Sequence, residues 1–125
     1  MATSRLPLDI KELLTTFIDS VGQLEVLLVF FNHQNRAWNA FGVSQELRSH
    51  ETIVRQQIEK LAASGFLKQD SEENFSYAPT EDLATKVEGL SKFYREMPVA
   101  VIAFIYEKPT DKLKGFADAF KIKKD

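Results

Sequence analysis

The order of patterns between Trp38 and Pro79 constrains this chain most: two short helical stretches, then two strand-like stretches joined by a polar turn. Val43 and Leu47 lie four apart, the minimum that anchors a short helix, which Gly42 or Ser44 opens and the turn Ser49-His50 follows. From Glu51 to Ser64, Val54, Ile58 and Leu61 recur on one helical face, and Gly65 stands where a left-handed residue closes a helix. Thr52, Arg55, Gln56, Glu59 and Lys60 are left on the outer side. Phe66-Leu67-Lys68-Gln69 and Phe75-Ser76-Tyr77-Ala78 read as strands around the turn Asp70-Ser71-Glu72-Glu73-Asn74. Trp38-Asn39-Ala40-Phe41 is too short for a helix, and its aromatics suit a brief strand or bridge.

The flanks are helical. Asp9 is the expected N-cap of a helix over 9–22, in which Ile10, Leu13, Leu14, Phe17 and Val21 share a face opposite Lys11, Glu12 and Asp19. Leu24 to Phe31 is apolar almost all round, which fits either a central core helix or one shared with a second subunit. Thr80, followed by Glu81 and Asp82, starts another helix carrying Leu83, Val87, Leu90, Tyr94 and Met97. Pro98 kinks or restarts it. The β-branched content of Val99 to Tyr106 also suits a buried strand, but Pro98 is allowed in a first turn and the segment continues a helical period, so helix is preferred. Its expected neighbours are the N-terminal helix and Leu24–Phe31. In 108–125, Leu113, Phe116 and Phe120 keep helical spacing among lysines and aspartates, reading as a helix docked on the body or as a phosphate- or partner-binding arm.

At 125 residues the chain fits one domain with a real core, and the expected class is mainly α with a small β-hairpin, an α+β fold. A net charge of -2 is less basic than an autonomous DNA-binding module usually carries. With no cysteine, thiolate catalysis and thiolate metal sites are excluded. The N-terminus has no apolar signal-peptide core and no run approaches a membrane span, so a cytoplasmic protein is expected. His33 reads as a helix-end cap and His50 as a turn residue, neither with the acidic or i, i+4 histidine partner of a metal site. No glycine-rich phosphate loop or activated nucleophile is present, and Trp38 reads as core. Neither enzymatic activity nor a cofactor is expected.

Val43-Ser44-Gln45-Glu46-Leu47, then Val54, Ile58, Glu59, Lys60 and Leu61, then Ser64-Gly65-Phe66-Leu67 before the hairpin resemble winged helix-turn-helix transcriptional regulators of the MarR and PadR type. The resemblance implies a winged core over 24–79, flanked by the helix at 9–22 and by C-terminal helices over 80–125 that form a homodimer. It further implies that the first turns of the helix at 51–64 enter the major groove of double-stranded DNA. Thr52, Arg55, Gln56 and the neighbouring Glu51 would meet base edges, while Arg48 and Lys60 hold phosphates. Arg55 suits a guanine and Gln56 an adenine by donor and acceptor geometry. Asp70, Glu72 and Glu73 depart from the basic wing tip of that family, and their charge opposes a phosphate backbone. Two functions follow: a dimeric DNA-binding regulator, or a winged-helix module that binds another protein through its apolar helices or acidic wing without binding DNA.

Overall fold

The computed structural model describes residues 6–107. It is mainly helical with one small antiparallel sheet: α1 (Leu8–Phe17), α2 (Val21–Asn32), α3 (Ala40–Leu47), α4 (Glu51–Ala63), β1 (Leu67–Gln69), β2 (Phe75–Tyr77), α5 (Glu81–Glu96) and α6 (Pro98–Glu107). The expectations for 108–125 lie outside the described residues.

The boundary expected near Gly22, between the helix over 9–22 and the apolar segment Leu24–Phe31, lies earlier, between Phe17 and Val21. α1 starts after Pro7 rather than at an Asp9 cap, and the Asp9 carboxylate accepts from the neighbouring Ile10 N–H. It stops at Phe17 because Ser20 caps a new helix: Ser20 Oγ accepts from Gln23 N–H at 3.1 Å. The Gln23 side chain reaches back, accepting from Asp19 N–H at 2.8 Å and donating to the Phe17 carbonyl at 3.1 Å. Ser20 and Gln23 have the spacing of a capping box, and their hydrogen bonds satisfy groups on both sides of a bend of 110° between α1 and α2. Val21 therefore belongs to α2.

α2 is buried on most sides within the chain, as a central core helix. Leu24, Leu27 and Phe30 are fully enclosed, with Val26, Leu28 and Val29 nearly so, among α3, α4 and the hairpin. Asn39 opens α3 by accepting from Gly42 N–H at 2.7 Å, so Ala40 and Phe41, expected in an extended segment, are helical. Only Trp38 keeps the bridge: it exchanges both backbone hydrogen bonds with Phe75, at 2.7 and 2.8 Å. Gly42 matters here, since a Cβ would come within 3.3 Å of the Trp38 ring.

α4 ends in a Schellman turn, with Gly65 at φ +94°, its N–H on Ala62 and the Phe66 N–H on Leu61. That turn launches β1, which pairs with β2 in the register Leu67↔Tyr77, Lys68↔Ser76 and Gln69↔Phe75. Thr80 caps α5 through Leu83 N–H at 3.3 Å. Met97 leaves the helical region at φ -139°, ψ 64°, and Pro98 begins α6, so 99–106 is helix and not strand. α6 packs on α5 and α1, burying Ala100, Val101 and Ile105, while Val99 and Tyr106 face outward. Among the described residues no single helix is long and apolar enough to cross a membrane.

Candidate functional site

The outer face of α4 gathers most of the residues singled out from sequence. Val54, Ile58 and Leu61 anchor the helix in the core, and the 3.6-residue period then turns Thr52 and Gln56 directly away from it. Thr52, Arg55, Gln56, Glu59 and Lys60 are all exposed, and nothing described covers them. Glu51 and Arg55 form an ion pair one turn apart at 3.0 Å. Lys60 lies on the other flank, 3.7 Å from Asp19 in the α1–α2 bend. Both pairs are about half exposed, so each is worth only about 0–1 kcal/mol, and neither prevents these cations from finding a stronger partner.

Arg48 is set apart from that group. It occupies the left-handed position of the turn that ends α3, at φ 55°, ψ 50°, where Ser49 N–H donates to the Ser44 carbonyl at 2.9 Å. Its surroundings are a shallow cleft of about 180 Å³ shared with Gly22, Glu25, Ile53 and Gln57, on the side of α4 away from the hairpin. Arg48 and Arg55 thus straddle the N-terminal half of α4 instead of sharing one patch.

Between α4 and the hairpin lies a second cleft of about 220 Å³, with a floor of Ile58, Ala62 and Phe75 and a rim of Arg55, Glu59, Glu72 and Glu73. Among the described residues none of these three glutamates forms an ion pair. Sequence reasoning placed Glu59 on the helix and Glu72 and Glu73 in the turn, but not their convergence. The hairpin turn that presents Glu72 is internally tied: Asp70 N–H donates to the Asn74 carbonyl at 2.8 Å, and the Gln69 amide donates to the Glu72 carbonyl at 3.0 Å.

Behind the hairpin, Trp38 is buried, with the Arg36 guanidinium stacked 3.8 Å from its ring centroid. Tyr77 packs edge-on against Phe31 of α2 at 5.8 Å. Trp38 Nε1 and the Tyr77 hydroxyl are buried with no hydrogen-bond partner among the described residues. Burial, then the nearby Glu88 carboxylate, pushes the Tyr77 phenol up to about 12. His33 is the C-cap of α2 and His50 the N-cap residue of α4, the latter without a side-chain capping bond. No cluster of His, Asp or Glu among the described residues is placed to hold a metal ion. Comparison with protein-family models, with curated proteins and with solved structures gives no match.

Proposed function

We propose that this protein is a DNA-binding transcriptional regulator of winged helix-turn-helix type, cytoplasmic and homodimeric through its terminal helices, with α4 entering the major groove of double-stranded DNA. The observation that carries the reading is the uncovered outer face of α4, standing beside a two-stranded hairpin and projecting Thr52, Arg55 and Gln56 into solvent. An arginine bidentate to guanine or a glutamine bidentate to adenine contributes about 1–3 kcal/mol of base discrimination, more than the exposed Glu51 pair that Arg55 would give up. Arg48 and Lys60, both on the flank of α4 away from the hairpin, are suited to the phosphate strand on that side of a groove. A dimer presents two such helices to two half-sites.

One observation favours a second reading, a winged-helix module that binds another protein and not DNA. The cleft beside α4 is rimmed by Glu59, Glu72 and Glu73, which repel phosphate and attract a basic partner. Fluorescence anisotropy separates the two, using a labelled duplex from the region upstream of the gene and a scrambled duplex across a salt series. The regulator binds the upstream duplex preferentially, with a shallow salt slope of about −2 per subunit for two phosphate contacts. Equal binding to both duplexes, or none at low salt, rejects it.

A further inference from the structure

α2 and α5 border an open groove that no residue of α4 lines. It consists of two adjoining clefts of about 270 and 310 Å³, which share Leu28 and Asn32 of α2 and Tyr94 of α5. Helical spacing makes the walls: Glu25, Leu28 and Asn32 fall on one face of α2, and Ser91, Tyr94 and Arg95 on one face of α5. The floor is apolar, formed by the buried Leu28 and Val29 with Leu47 beside them. Burial, and then the facing Glu25 carboxylate, hold the Tyr94 phenol above its ordinary value, so this wall is uncharged. The two ends differ in charge. Glu25 and Glu46 line only the first cleft and Arg95 only the second, and among the described residues none of the three forms an ion pair. Along α2, Glu25 lies about 10 Å from Asn32 at the Arg95 end. A buried hydroxyl stands at that end too: Ser91 is 6% exposed and borders the second cleft. Ser44 and Thr85 turn their hydroxyls back onto carbonyls of their own helices, whereas that of Ser91 has no hydrogen-bond partner among the described residues.

We infer that this groove binds a short extended peptide of about three apolar residues, its carboxyl terminus on Arg95, Asn32 and the Ser91 hydroxyl and its amino terminus at Glu25 and Glu46. Length and charge select this occupant. An extended residue spans about 3.3–3.6 Å, so about three of them reach from one end of the groove to the other. A peptide with free termini carries opposite charges at its two ends, as the groove does. A fatty or aromatic acid would meet Arg95 but lay its apolar end against two carboxylates, and a single amino acid is too short to touch both ends. The Ser91 hydroxyl gives the carboxylate a donor, and a charge-assisted bond is worth about twice a neutral one. Apolar side chains displace water from Leu28, Val29 and Leu47. Because α4 takes no part, the inference does not depend on DNA binding.

Isothermal titration calorimetry of the full-length protein with the tripeptide Ala-Leu-Ala tests this in the absence of DNA. The free tripeptide is expected to bind at submillimolar to millimolar concentration. Its acetylated and amidated form keeps the apolar side chain and loses both charges, and is expected to bind about tenfold more weakly or worse. Arg95 is exposed, so Arg95→Gln spares the fold and is expected to lower affinity for the free tripeptide about tenfold. Ser91→Ala is expected to lower it about threefold and to leave the blocked peptide unaffected. Equal affinity for the free and blocked peptides overturns the inference in favour of an occupant held by apolar contact alone, such as a helix of another protein. An Arg95→Gln variant that binds the free tripeptide as the parent does overturns it, as does the absence of any binding at millimolar Ala-Leu-Ala.

Discussion

α2 and α6 are both strongly apolar helices and meet different fates. α2 lies among α3, α4 and the hairpin and is enclosed on most sides, whereas α6 touches α5 and α1 and leaves Val99 and Tyr106 outside. Apolar content states that a surface must be covered; it is the number of elements that reach the helix which decides whether the described fold does the covering. The closing elements of α2 are all within the chain, and one of them, the hairpin, is also the wall of the acidic cleft beside α4.

The largest expected effect tests α2 directly. Leu27→Ala, at a fully enclosed position, is expected to cost about 3–4 kcal/mol in chemical denaturation, as buried leucine truncations do. A loss below about 1 kcal/mol would break the comparison, because it would mean that α2 is no better covered than α6. The hairpin that closes α2 hangs from Gly65, so Gly65→Ala, forced to φ +94°, is expected to cost about 1–2 kcal/mol. Space is not the reason, since the added Cβ would meet nothing nearer than 3.9 Å.

Val99→Ala sharpens the other half of the comparison. At this exposed position it is expected to change stability by less than about 0.5 kcal/mol in chemical denaturation, against the large loss at Leu27. The remaining effect concerns Tyr77, which packs on Phe31. Unfolding returns its phenol from about 12 to the ordinary 10.0, so between those values the unfolded chain holds fewer protons than the folded one. Stability therefore falls as pH rises from about 10 toward 12. Tyr77→Phe is expected to remove this tyrosine's part of that fall and, by deleting a buried hydroxyl without a partner, to leave stability at neutral pH equal or up to about 1 kcal/mol higher. Denaturation at pH 8 and pH 11 measures both effects.

What the sequence made legible is instructive at particular residues. The inner face Val54, Ile58, Leu61, the terminator Gly65, the cap Thr80 and the restart at Pro98 were readable because each acts through local backbone geometry. The cap at Ser20 was equally local, but the apolar spacing runs through Val21, which put the expected break near Gly22 and conceals the Ser20–Gln23 capping pair. Asn39 was passed over in favour of the aromatics around it, though its side chain opens α3. Arg48 in a left-handed turn has no signal of the kind glycine provides. The site was legible as a helix face but not as a surface. That Arg55 leans toward the hairpin, that Arg48 lies on the opposite flank, and that Glu59 meets Glu72 and Glu73 all depend on how the hairpin folds back on α4.

The central claim is that the outer face of α4 reads DNA, and the most direct test is the anisotropy titration repeated with Arg55→Ala. The account expects the preference for the upstream duplex over the scrambled one to fall by about 5- to 150-fold, the equivalent of about 1–3 kcal/mol, while circular dichroism stays unchanged. Identical preference in the variant and the parent protein, or no binding by the parent protein at low salt, would contradict it.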